Sequence, residues 1–243
     1  MLKIPLQNIY SSGNKIYLFS RYLDRLVITT DIYYNYCYKL DNNGAFLTIY
    51  KEKVKKTNLL NSGNLYESDI NLVKRYLIDK VEIILKNNIK YIFIDIEILL
   101  NNGKFPDYKN PTQPISCITF YTGNSSIDKE EINTFFIKDY KNEEEMLQLF
   151  IHKISEDKPD IILGWNVNFD YNYLLARIKY LFNENFSALI SPIKKIRKTK
   201  NDNISYPAGI SVLDYLGLFK KIYNREISYS LDYIAQRYLG TKA

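Results

Sequence analysis

Two acids stand two residues apart in an otherwise apolar run. They are Asp95 and Glu97 in YIFIDIEIL (91–99). Side chains alternate along a strand, so this spacing aims both the same way. Two like charges side by side in a buried strand are costly unless a cation compensates them. Mg²⁺ or Mn²⁺ suits such a pair, because hard ions take oxygen ligands. The plainer alternative is an exposed strand end with both acids in water. Asp-x-Glu alone is a weak signal, with roughly one chance match in a chain of this length.

A third acid changes the balance. In GWNVNFDYNYLLAR (164–177), Asp170 follows the apolar run Ile161–Leu163 and opens an amphipathic helix. Helix capping would by itself account for an aspartate there. In an α/β sheet, however, strand-to-helix junctions gather at one end, where sites form. Asp95, Glu97 and Asp170 converging there would hold two metal ions. Such a pair aligns a water with a phosphodiester and stabilises the leaving oxygen. His152 is the only histidine. That removes Ser–His and Cys–His mechanisms needing a further histidine, and nearly all zinc sites. Cys37 and Cys117 fit no metal spacing and read as buried thiols in a reducing compartment.

These acids must be positioned by elements. Residues 1 to about 60 show short β-branched and aromatic runs: Ile16–Phe19, Leu26–Thr29, Ile32–Tyr38 and Phe46–Tyr50. Turn chemistry at 11–14 and 41–44 separates them. Within 64–88, Ile70, Val73, Leu77 and Ile78 fall on one helical face. YIFIDIEIL reads as a strand buried on both faces. ISCITFY (115–121) and TFFI (134–137) read as further strands. Glu143–Ser155 is a helix with Met146, Leu147, Phe150, Ile151 and Ile154 at three- and four-residue spacings, and Pro159 stops it. The succession predicts a mixed α/β sheet preceded by a small β-rich domain, with the boundary at residues 90 and 91.

Composition sets wide bounds. With 243 residues, 46% hydrophobic and 25% charged, the chain can bury a real core. No apolar run reaches the length of a bilayer span and no secretory leader is visible, so the expected compartment is the cytoplasm. A net charge of +6 permits a polyanionic partner. The 23 tyrosines and 12 phenylalanines could stack on bases. Much of that bias also fits A/T-rich coding.

Four blocks carry a family resemblance. FIDIE, GWNVNFD, GISVLDYLGLFKK and YSLDYIAQRYLG resemble, in order, the proofreading region of family B DNA polymerases, especially those of T-even phages. YESDINLVKRYLIDK, FPDYKNPTQPISCITFY and Leu189–Pro192 resemble the same group, so the likeness runs from about residue 64 to the end. It implies an RNase H-like fold, a 3′→5′ exonuclease site and DNA as partner. Asp95 would then bridge both ions, Glu97 would bind one and orient the attacking water, and Asp170 would serve the second. Asn166 and Phe169 would shape the pocket for a frayed 3′ end. Phe105 stands near a base-contacting phenylalanine of phage relatives, one residue off in spacing; simple loop packing is its alternative. Trp165 reads better as core packing, and Asp214 and Asp232 as structural hydrogen bonders. KKIRKTKNDNISYP (194–207) sits where relatives carry a strand-separating hairpin. Arg197, Lys198 and Lys200 would meet phosphates there, or form a solvated basic turn.

The family's third exonuclease motif, Tyr-x-x-x-Asp, lies beyond the YSLDYIA block in relatives. Tyr229 and Asp232 have only two residues between them. The expectation is an incomplete site that works with a further segment or second polypeptide, which would also carry the polymerase domains; the alternative is a non-catalytic remnant that binds single-stranded DNA.

Overall fold

A computed structural model describes residues 2–22, 24–59, 64–85, 88–100, 103–125, 127–198 and 205–240, and the chain divides into two compact units, 1–87 and 88–243. The first unit begins with β1 (Leu2–Ile4), then β2 (Leu6–Ser12), β3 (Lys15–Tyr22) and β4 (Arg25–Ile32). Strands β2, β3 and β4 form an antiparallel meander, and Gly13 takes the positive φ (59°) needed at its first turn. A second sheet holds β5 (Cys37–Leu40), β6 (Phe46–Leu47), β7 (Lys53–Thr57) and β8 (Leu65–Tyr66) in the order β6-β7-β5-β8. The unit closes with α1 (Leu72–Lys80) and β9 (Val81–Ile84), which pairs parallel with β1.

Three local expectations fail here. The run Ile32–Tyr38 is not one strand: β4 ends at Ile32 and β5 starts at Cys37. Between them, the hydroxyls of Tyr33 and Tyr36 donate to Asp79 of α1 at 2.5 and 2.9 Å, which draws these residues away from the ladder. Phe46–Tyr50 shortens to β6 because the chain turns at once, with Lys51 left-handed and its N–H donating to the Thr48 carbonyl. The buried side of α1 is also different from Ile70, Val73, Leu77 and Ile78. Arg75 and Tyr76 are buried while Ile78 is 60% exposed. Tyr76 packs with Ile16 and Leu18, and its hydroxyl donates to Asp31. An amphipathic tyrosine thus outranks the purely apolar positions.

The second unit opens with β10 (Lys90–Ile98), β11 (Ile115–Asn124) and β12 (Ile127–Phe136), an antiparallel run. Next come α2 (Glu143–Asp157), β13 (Ile161–Gly164), α3 (Val167–Leu181) and α4 (Glu184–Ser187). A short hairpin, β14 (Ile196–Lys198) and β15 (Ser205–Pro207), precedes β16 (Ser211–Asp214), α5 (Tyr215–Ile222) and α6 (Leu231–Leu239). The main sheet has the order β12-β11-β10-β13-β16, with β10, β13 and β16 mutually parallel. Parallel strands end on the same side, so the junctions after them share one edge.

The core lies where α2 and α3 cover the sheet. Met146, Leu147, Phe150, Ile151 and Ile154 of α2 are all buried against Ile92, Ile94 and Ile96 of β10 and the inner side of α3. Asn142 caps α2 by accepting from the Glu145 N–H, and left-handed Lys158 ends it just before Pro159. A buried ion pair ties the layers: Arg177 of α3 grips Glu143 of α2 at 2.6 and 3.0 Å and donates to the Pro111 carbonyl at 2.8 Å. Glu143 also accepts the Ile115 N–H that begins β11. His152 lies on the exposed side of α2, 3.2 Å from Glu156. No helix among the described residues is long and apolar enough to cross a membrane.

Candidate active site

The register of three parallel strands brings the acidic blocks to one edge. Phe93 pairs with Leu163, and Gly164 pairs with Asp214. Asp95 follows two residues after Phe93, so it emerges beside the end of β13. There the chain must turn sharply into α3. A Cβ on Gly164 would sit 2.7 Å from the Ile94 carbonyl oxygen and 2.8 Å from the Val167 Cβ, so only glycine permits this approach. Asn166 then adopts the left-handed region (φ 64°, ψ 31°), which asparagine tolerates better than most residues. Asp170 falls in the first turn of α3, where the helix dipole favours a negative charge.

Asp95 and Glu97 do share one side of β10, with Ile94 and Ile96 buried on the other. Both acids are exposed, so the strand is not covered on both faces at their level. The full cost expected for burying this pair therefore does not fall on them, although Asp95 loses part of its hydration. That cost falls on Asp170 instead, which is only 8% exposed. Burial pushes the Asp170 carboxyl up to about 7, helped in turn by the charges of Asp95, Asp214 and Glu97. Asp95 is raised too, first by lost hydration and then by Glu97. Among the described residues, no cation and no hydrogen bond offsets these effects at Asp170. Hard divalent cations are the chemical match for such an all-oxygen, uncompensated set. Among the described residues, no group of three acids, histidines or cysteines is already arranged to hold an ion.

Aromatic residues stand beside the acids. Phe169 of α3 contacts Phe105 at a centroid distance of 5.5 Å and Tyr173 at 6.1 Å. Phe105 is 80% exposed, so one ring face is available. Asn166 is exposed at the turn itself. On the hairpin, Arg197 and Lys198 are exposed, with Arg197 lying 5.5 Å from the Tyr206 ring centroid. Lys200 and the turn Asn201–Asn203 lie outside the described residues. Asn172 pins the hairpin to α3, accepting the Ser205 N–H at 3.4 Å and donating to the Asn168 carbonyl.

Trp165 is half-buried against Tyr215 and Phe219, and its indole N–H donates to the Tyr229 carbonyl at 3.1 Å. That is packing, as its residue type suggested. Asp232 is exposed in the first turn of α6, where Ser230 is the cap. Asp214 makes the structural hydrogen bonds expected of it, yet its charge also reaches Asp170. The sequence held a sign of this second part: SVLDYLG repeats the grammar of an acid at a strand-to-helix junction.

The fold and the acidic edge describe a nuclease-type α/β domain. A profile of the DNA polymerase family B exonuclease domain matches residues 15–234, and the chain belongs to that family. Among its relatives, the DNA-directed DNA polymerase of Escherichia phage RB69 is 36% identical over 122 residues, which are 47% of this chain and 14% of that polymerase. The corresponding enzyme of Enterobacteria phage T4 is 30% identical over 122 residues, with the same shares. A DNA polymerase of Pyrococcus horikoshii is 33% identical over 123 residues, 49% of this chain and 10% of the archaeal protein. The matched region is thus a small fraction of each relative's length.

Proposed function

We propose that the chain is the amino-terminal and proofreading portion of a DNA-directed DNA polymerase. Its site would hydrolyse the 3′-terminal phosphodiester of single-stranded DNA. The observation that carries this reading is Asp170: buried, opposed only by other carboxylates, and pushed up to about 7. Such a group calls for a divalent counter-charge. Asp95 would hold two Mg²⁺ or Mn²⁺ ions, with Glu97 on one and Asp170 on the other. Bound ions supply an activated water and a counter-charge for the leaving oxygen. Glu97 would orient the water. Phe169 and Phe105 would hold the terminal base, Asn166 would shape the pocket wall, and Arg197, Lys198 and Lys200 would contact phosphates.

The third exonuclease motif would come from a further segment or a second polypeptide, which would raise a weak intrinsic activity. The test is degradation of 5′-labelled single-stranded DNA in Mg²⁺ or Mn²⁺, with and without a segment supplying Tyr-x-x-x-Asp. We expect shortening from the 3′ end that the segment accelerates and Asp95→Ala abolishes. Cleavage that survives Asp95→Ala rules out the assigned site. A second reading, a module that holds DNA without cutting it, rests on the exposed Arg197 and Lys198 of the hairpin. Metal-independent binding with no cleavage in any combination would establish it.

A further inference from the structure

Asp214 caps α5, and its charge reaches Asp170. Its hydrogen bonds indicate a more specific task. As cap of α5 it accepts the Gly217 N–H at 3.4 Å, the longest of its three bonds. The other two go to a different helix. Oδ1 accepts the backbone N–H of Asn166 at 3.1 Å, and Oδ2 accepts the side-chain amide of Asn168 at 3.1 Å. Both donors belong to the turn that launches α3, 46 and 48 residues upstream. That turn lacks a cap of its own: the Asn166 side chain makes no capping hydrogen bond, and its backbone is left-handed at φ 64°. A non-glycine residue keeps such a conformation only where its surroundings hold it. Strand pairing puts Asp214 beside Gly164, two residues before the turn, so the clamp is built into the sheet register.

We propose that Asp214 is a positioning residue. By clamping Asn166 and Asn168 from the neighbouring strand, it fixes the head of α3 and so the direction in which Asp170 faces Asp95 and Glu97. With three N–H donors already on its two oxygens, it acts through the turn and not as an ion ligand. The consequence for ions rests on the proposed function; the consequence for the turn does not.

The test therefore has two arms, run on the full chain. The first is amide hydrogen exchange at Asn166, Phe169 and Asp170, with Phe150 in α2 as internal reference. Losing the two hydrogen bonds to the turn, along with the longer one to Gly217, in Asp214→Ala should speed exchange at the turn by about tenfold or more and leave Phe150 unchanged. The exchanged pair Asp214→Asn with Asn168→Asp keeps the net charge and lets Asn donate to Asp, so it should restore protection to within a few-fold. If Asp214→Ala does not fold, Asp214→Asn alone against the exchanged pair decides, since both retain an acceptor for α5. Unchanged protection in Asp214→Ala overturns the proposal, as does a loss that the exchanged pair fails to repair. The second arm is Mn²⁺ titration followed by electron paramagnetic resonance. Affinity should fall in Asp214→Ala and return in the exchanged pair. Protection restored without affinity would make Asp214 a ligand and overturn the positioning role. If the unaltered chain takes up no Mn²⁺, the metal reading fails, while the exchange arm still decides the fate of the clamp.

Discussion

Asp170 concentrates the electrostatic cost of the acidic edge. Its folded-state value, about 7, lies above the ordinary aspartate value of 3.8. Between these limits the folded chain keeps a proton that the unfolded chain has released. Asp170's contribution to metal-free stability is therefore fully present at low pH, declines as pH rises from about 4, and is lost above about 7. Asp170→Asn should remove this loss and stabilise the metal-free protein at pH 8 by on the order of 2–4 kcal/mol, read from urea denaturation at pH 5 and pH 8. If the unaltered chain binds Mn²⁺ as proposed, its melting temperature should rise with the ion, and Asp170→Asn should abolish that rise. A variant equally stable at both pH values, relative to the parent, would refute the burial argument. The sequence showed which acids to compare, because spacing of two on a strand is visible in one line of text. It did not show which would be buried. That depends on which side of β10 the helices cover: α2 and α3 pack on Ile92, Ile94 and Ile96, and the two acids stand on the other side.

At the scale of elements, α2, α3 and the start of β11 meet at one buried ion pair. Arg177→Ala would leave Glu143 charged and unpaired in the core and should cost about 3–5 kcal/mol in denaturation. Replacing both partners with Met and Leu should recover only part of that, since the buried charge is gone but the Ile115 N–H and the Pro111 carbonyl lose their partners. A mild loss from Arg177→Ala would mean that water reaches the pair. The apolar spacing of α2 was plain in the sequence, and all five named residues are buried. In α1 the same reasoning misled. That helix has nine residues, too few for the 3.6 period to average out, and its inner side is set by tyrosine contacts to Asp31 and Asp79. Paired long-range polar groups leave no periodic trace. The turn at Asn166 was equally silent, because left-handed asparagine looks like any other asparagine until Gly164 and Asp214 are seen beside it.

At the scale of the whole molecule, a net charge of +6 sets how the chain meets polyanions. If Arg197 and Lys198 touch phosphates, replacing both with Ala should weaken single-stranded DNA binding whatever the base sequence. It should also reduce the salt dependence of log K by about 1.4, at about 0.7 per lost contact. Fluorescence anisotropy across a range of salt concentrations measures both. An unchanged slope would leave the hairpin as a solvated surface feature.

The solitary imidazole has one more use. With His152 outside the acidic edge on the exposed side of α2, few groups besides Asp170 exchange protons near neutrality. Calorimetry of Mn²⁺ uptake in buffers of contrasting ionisation heat should then count about half a proton expelled per chain at pH 7 and almost none at pH 9. Expulsion near zero at pH 7 as well as at pH 9 would mean that the carboxylate assigned here was already ionised.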